Sequence, residues 1–161
     1  MVESQNVTHP NKPPMGIRRL NPLRPGRFVV SGPPASGKST WIEGRRRPGD
    51  LIWDFDVVAS AVTRCEMWNR PPEAVDCVTA MRQAFVEWAC SVSTNSQIFV
   101  IAGNVRSGEF VSRKIGAELI VLRTPRVVCI QRIQNDPARA ARRAEQLQAV
   151  DDWFGEFGAK Q

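Results

Sequence analysis

Short, almost uniformly apolar runs alternate along this chain with stretches in which apolar residues return every three or four positions. The runs are Arg27-Phe28-Val29-Val30-Ser31, Leu51-Ile52-Trp53-Asp54-Phe55, Ile98-Phe99-Val100-Ile101-Ala102 and Leu119-Ile120-Val121-Leu122. Each is too short for a helix and reads as a strand covered on both faces. Between them, Val58, Ala61, Val62, Cys65 and Trp68 predict an amphipathic helix over 57–69, which Pro71-Pro72 ends. Val75, Val78, Phe85, Trp88 and Val92 predict a long helix over 72–93. A short helix is expected over 107–115, closed by Gly116. Thr124-Pro125 and Asp136-Pro137 each place a capping residue before proline, which starts one helix there and another over about 137–157. Strands separated by helices imply an α/β domain, a mostly parallel sheet of four to five strands with helices on both faces. Ligands of such sheets bind at the carboxyl ends of the strands. The residues after positions 31, 55, 102 and 122 should therefore line one site.

The first of those ends carries the strongest chemical signal. Gly32-Pro33-Pro34-Ala35-Ser36-Gly37-Lys38-Ser39 reads G-x-x-x-x-G-K-S without a mismatch, and Thr40 follows. Glycines allow successive backbone N–H groups to converge on an anion. Lys38 can reach the β- and γ-phosphates, and the Ser39 hydroxyl can ligate Mg²⁺. A helix expected from about Lys38 to Gly44 turns its positive end to the same point. Residues 32–40 are thus assigned to a nucleoside triphosphate, with ATP and Mg²⁺ as the expected cofactors.

The second strand ends Asp54-Phe55-Asp56, and alternation along a strand sends both acids to one side. Phosphoryl transfer needs a metal to neutralise charge and a carboxylate to orient or deprotonate the acceptor. Asp54 is assigned to the metal with Ser39, and Asp56 to the acceptor hydroxyl; a helix cap is the competing role for Asp56. The third strand ends in Gly103-Asn104 with no acid, unlike a motor-type ATPase. Arg106 at that mouth is either a phosphate contact or a surface residue.

Charge sharpens this picture. The 161 residues carry a net charge of +6. Residues 1–27 hold Lys12, Arg18, Arg19, Arg24 and Arg27 against Glu3, and residues 123–143 hold six arginines against Asp136. Both clusters suit a polyanion or a solvated surface. Residues 1–26, with five prolines and few apolar residues, are expected to be a disordered basic tail, leaving 27–158 as the domain. Met15 is an alternative start. Arg132, Arg139 and Arg143 flank the Asn135-Asp136-Pro137 break and are expected to form a catalytic lid over the transferring phosphoryl. His9, the only histidine, lies in the tail, so no histidine chemistry is expected. Cys65, Cys77, Cys90 and Cys129 lack metal spacing and read as small hydrophobes of a reducing cytoplasm. The five tryptophans read mostly as core. The N-terminus has no signal-peptide core, and no run is long enough for a membrane span.

The phosphate loop, the acid pair, the acid-free third strand and the run Leu122-Arg123-Thr124-Pro125…Cys129…Arg132 together resemble the P-loop kinase family over about residues 27–145. The layout is similar to that of polynucleotide kinases and zeta-toxin-like kinases, and the P-G-D-L-I-x-D-x-D pattern at 48–56 is similar to small bacteriophage P-loop ATP-binding proteins. The resemblance implies a three-layer P-loop NTPase sandwich and a cytoplasmic kinase whose acceptor-activating acid matches Asp56. The acceptor it implies is a nucleotide or nucleic-acid 5′ end. The alternative is a nucleotide-binding accessory ATPase of a phage DNA-processing or packaging system. In either case the basic tail and arginine cluster could touch DNA.

Overall fold

The computed structural model describes residues 24–67 and 69–158. Four strands, β1 (Arg27–Ser31), β2 (Leu51–Trp53), β3 (Ile98–Ala102) and β4 (Glu118–Val121), form one sheet in the order β2-β3-β1-β4. All neighbours are parallel, with Val29 opposite Val100 on one side and Leu119 on the other. The helices are α1 (Lys38–Glu43), α2 (Phe55–Thr63), α3 (Glu73–Ser91), α4 (Val105–Ile115), α5 (Arg126–Asn135) and α6 (Arg143–Gly158). No helix of the described residues is long and apolar enough to cross a membrane.

The period-two alternation of the strands divides the core. Val29, Trp53, Ile98, Val100 and Ala102 pack against Ala59 of α2, Val78, Val86 and Ala89 of α3, and Val111 and Ile115 of α4. On the opposite face Val30 and Phe99 meet Ile42 of α1. A third cluster, Cys129, Ile133 and Val150, joins α5 to α6 and reaches the phosphate loop through Ala35. The expected sandwich is thus present, with four strands.

Several boundaries differ from the sequence expectation. β2 stops at Trp53, because the Asp54 side chain accepts a hydrogen bond from Asp56 N (3.0 Å) and starts α2 two residues early. Asp54 is therefore the cap, and Asp56 sits in the first helical turn rather than on a strand. α2 also ends early, at Thr63. Arg64 adopts the left-handed region (φ 56°), and the Ser60 hydroxyl donates to Cys65 O (2.7 Å). The stripe of α3 is rotated from the expected one: Ala74, Val78, Val86 and Ala89 are buried, whereas Val75 and Trp88 are exposed. Trp53 and Trp153 are buried as expected; Trp68 lies outside the described residues. Of the cysteines only Cys129 is buried, and Cys77 is exposed. Asp136 does cap, accepting from Ala138 N (3.0 Å), but Pro137–Arg142 is a 3₁₀ helix that precedes α6.

Arg27 is the largest departure. Counted above with the basic N-terminal segment, it is 6% exposed. Its guanidinium donates to the carbonyls of Ala89, Ile115 (3.1 Å) and Val92 (2.6 Å). These lie at the C-terminal ends of α3 and α4, where carbonyls lack helical partners and the helix dipole favours a cation. The chain joins the fold before the expected boundary at residue 27, since Arg24 N donates to Gly116 O (2.7 Å) and Ile98 N to Gly26 O (2.8 Å). The rest of the predicted tail, residues 1–23, lies outside the described residues.

Candidate active site

The loop between β1 and α1 has the backbone that its sequence demands. Gly37 has φ 95°, which a side chain would strain. A Cβ on Gly32 would lie 2.6 Å from Ser36 Oγ, so only glycine admits that hydroxyl. Ala35 also has positive φ (58°), a conformation that costs a non-glycine residue about 1 kcal/mol. Two contacts from outside the loop hold it there. Arg132 Nη1 donates to Ala35 O (3.0 Å), and the Thr124 hydroxyl donates to Ser36 O (2.7 Å). Thr124, expected to cap α5, makes no capping bond and fastens the phosphate loop instead.

Lys38 Nζ donates to Gly32 O and Pro33 O, both at 2.8 Å. Burial pushes its ammonium down to about 8, against the opposing pull of Asp54 and Asp56. Ser36 Oγ is buried with no hydrogen-bond partner among the described residues. An unpaired hydroxyl beside a partly buried ammonium in a glycine loop fits an anion.

One cleft of about 1370 Å³ runs along the carboxyl ends of the strands. That exceeds the 300–1,000 Å³ of an ordinary small-molecule site and leaves room for two ligands. Residues Gly32 and 34–40, Asp54, Asp56 and Gly103 line it from below, and Arg132, Arg139 and Arg142 from the α5–α6 side. The four strand ends thus converge as expected. Pro33 is buried beneath the loop and takes part only through its carbonyl. Ser39 and Thr40 are exposed on the first turn of α1.

The two acids face Lys38 from across β3. Burial raises the Asp56 carboxyl above its usual range, the nearby Arg70 opposes this, and Asp54 adds to it. Arg70 Nη1 donates to Asp56 Oδ1 (2.5 Å) and its guanidinium lies 5.0 Å from the centre of the Phe55 ring. Arg70 went unnoticed in the sequence, where it is only a cation before Pro71-Pro72. The Ser39 hydroxyl and Asp54 carboxylate are oxygen donors suited to Mg²⁺, which takes few protein ligands and completes its shell with phosphates and water. No group of three or more His, Cys, Asp or Glu that could hold a metal occurs among the described residues.

The arginines are not equivalent. Arg139 donates to Asp136 Oδ2 and Gln146 Oε1, each at 2.8 Å, and lines the cleft. Arg142 lines it too, paired with Glu145. Arg143 does not line the cleft, because it begins α6 one position beyond the 3₁₀ segment. Arg106 is exposed at the start of α4 outside the cleft, and Asn104 caps that helix by accepting from Ser107 N (2.7 Å).

A phosphate loop between an inner strand of a parallel sheet and a helix, with helices on both faces of the sheet, is the P-loop NTPase fold. Among solved structures, the chain is similar to shikimate kinase from Acinetobacter baumannii in complex with shikimate, with a TM-score of 0.52 and 18% identity over 81% of this chain and 74% of that one. The likeness shows the fold alone, which this chain shares with that kinase. No protein-family model and no curated protein matches the sequence.

Proposed function

We propose that this chain is an Mg²⁺-dependent phosphotransferase that moves the γ-phosphate of ATP to a hydroxyl of a nucleotide or nucleic-acid 5′ end. The observation that carries this reading is the opposition, across one cleft, of the Lys38 loop and the Asp54/Asp56 pair. Residues 32–40 hold the triphosphate, with Lys38 leaving the Gly32 and Pro33 carbonyls for the phosphates. Ser39 and Asp54 would hold the Mg²⁺, which would supply the neutralisation of phosphate charge. Asp56, raised by burial, takes the proton of the acceptor hydroxyl. Arg132 and Arg139 meet the charge that develops on the transferring group. Likeness to a kinase fold and the acid-free end of β3 favour transfer over motor-type hydrolysis. The accessory-protein reading is less favoured, because Arg126, Arg139 and Arg142 are engaged with Asp151, Asp136 and Glu145 rather than forming an open basic face.

The basic residues of 1–26 are proposed to add nucleic-acid contact. Incubation with γ-labelled ATP, Mg²⁺ and a panel of nucleosides, nucleoside monophosphates and 5′-hydroxyl oligonucleotides tests the proposal. Label should move to a hydroxyl acceptor. Release of inorganic phosphate alone, with no labelled acceptor in any lane, would refute it.

A further inference from the structure

The turn that leaves α1 carries three consecutive arginines, Arg45-Arg46-Arg47, all exposed, and the reaction described above gives them no task. The end of the helix supplies an aromatic platform beside them. Arg45 lies over the Trp41 ring, with its guanidinium carbon 3.9 Å from the ring centre, and Arg45 Nη1 donates to Trp41 O (3.2 Å). Trp41 is half-buried, and Phe28 of β1 meets its ring edge-on with centres 6.0 Å apart. Indole and guanidinium are thus held in place by the fold itself, while Arg45 remains open to solvent on its outer side. The acidic neighbours do little to cancel the charge. Glu43 pairs with Arg46 (2.7 Å), but both side chains are largely exposed, and such a pair is worth little. Asp50 accepts from the backbone N–H groups of Arg47 (2.7 Å) and Gln97 (2.8 Å), so its carboxylate is tied to the backbone. Arg45 and Arg47 make no ion pair among the described residues.

Trp41 also lines the cleft. One short helix therefore joins the phosphate loop to the basic turn, and Arg45 stands about 10 Å along it from Lys38. A guanidinium held over an aromatic ring suits the face of a nucleobase, and the arginines beside it suit the phosphates that link one base to the next. Only an unpaired base offers its face to such a platform, because inside a duplex both faces are taken by neighbours in the stack. We propose that the α1 turn is a binding surface for single-stranded nucleic acid, with a base stacked on Arg45 above Trp41 and phosphates held by Arg46 and Arg47. This surface lies outside the phosphate loop and the acid pair, and it holds a strand whether or not a phosphoryl group is transferred.

The test is fluorescence anisotropy of the full chain with a labelled single-stranded oligonucleotide of mixed sequence, across a salt titration and without ATP. Leaving ATP out separates the outcome from the kinase reading. The wild type should bind the single strand more tightly than the same sequence as a duplex. Replacing all three arginines together (Arg45→Gln, Arg46→Gln, Arg47→Gln) should weaken binding by roughly 10–100-fold. The slope of log affinity against log salt should fall by about 1.4, at about 0.7 for each phosphate that Arg46 and Arg47 hold. Arg45→Lys keeps the charge and loses the planar group. It should weaken binding by about fivefold or more with the salt slope unchanged, the mark of a lost stack. Affinity for a non-hydrolysable ATP analogue should stay at the wild-type value in every variant. If Arg45→Lys weakens the analogue as much as the strand, Arg45 and Trp41 receive the base of the mononucleotide instead, and the proposal is overturned. Unchanged affinity and slope in the triple variant would place strand binding on other basic residues, such as those of 1–26, and overturn it too. So would a duplex bound as tightly as the single strand, since charge alone would then explain the binding, and so would a wild type that binds neither.

Discussion

Replacing Lys38 by methionine should cost this protein its nucleotide and alter how its stability depends on pH. In the folded chain the ammonium is pushed from the ordinary 10.5 down to about 8, chiefly by burial. A drop of that size corresponds to roughly 3 kcal/mol, at 1.36 kcal/mol for each tenfold change in proton affinity. Between pH 8 and about 10.5 the unfolded chain binds a proton that the folded chain has released. Stability therefore rises with pH across that window. Below pH 8 the folded state bears the full cost of holding the charge. Lys38→Met has no such group, so its stability should lack this rise.

The measurement is urea unfolding of both proteins at several pH values from 7 to 10.5. The chain contains no tyrosine, and Cys129, whose thiol is pushed up by burial and pulled down by the Lys38 charge, is replaced by alanine in both proteins so that its titration does not enter the difference. The methionine also leaves Gly32 O and Pro33 O without the Nζ donor. To a first approximation that loss shifts the variant by a constant and leaves the slope untouched. The expected outcome is a wild-type gain over the variant of about 3 kcal/mol between pH 7.5 and 10.5. Binding of an ATP analogue should fall by roughly 10²-fold or more in Lys38→Met, the loss of a charge-assisted contact. In the wild type it should weaken as pH rises through 8, since the ammonium is the binding form. Parallel stability curves for the two proteins, within about 0.5 kcal/mol, would show that Lys38 is not held at a cost, and the reasoning would fall.

Three further outcomes are expected. Arg27→Met should destabilise by about 3–5 kcal/mol in urea unfolding, because three helix-end carbonyls lose a charged donor; a change below 1 kcal/mol would mean that water or a neighbour serves them equally well. Asp56→Asn should abolish transfer while calorimetric ATP affinity stays within about twofold; surviving turnover would place the base elsewhere. Arg139→Ala should lower turnover by roughly 10²–10³-fold with ATP affinity little changed. Equal losses in both would make Arg139 a plain ligand of bound nucleotide or a brace for Asp136 and Gln146.

Features encoded within a few neighbouring residues were legible before the fold was known. β1, β3 and β4 are contiguous apolar runs because both sheet faces are covered. The phosphate loop is a local backbone program of glycines and a lysine. The errors arose where a side chain competed with the backbone or where partners were distant. Asp54 ended β2 by accepting from Asp56 N, a choice that alternation of apolar residues does not reveal. Thr124 had two possible partners, its own helix and Ser36 O, 88 residues away, and took the distant one. Arg27 read as tail charge because its acceptors lie 62 to 88 positions further along. Arg143 and Arg142 exchanged places at the cleft because a 3₁₀ segment turns by three residues rather than 3.6, which shifts every later side chain around the axis. Arg70 left no local mark at all.

The strand order bears on why the end of β3 carries no acid. β3 lies between β1, which bears the phosphate loop, and β2, which bears the acid pair. Two strand spacings, about 10 Å, therefore separate the axes that deliver the two halves of the site. In the proposed transfer the reacting oxygen must come within about 3–3.5 Å of phosphorus. The triphosphate reaching out from β1 and the acceptor reaching out from β2 can then meet only above the end of β3. Gly103 stands there, lining the cleft, and a Cβ built on it meets nothing within 4 Å. Glycine at this point leaves open the space that the transferring group would cross in that transfer. A carboxylate there would stand between the loop and Asp56, holding a metal or water where the acceptor hydroxyl has to be. An arrangement with the acids one strand further out is thus suited to a second substrate, and an acid on β3 itself to water.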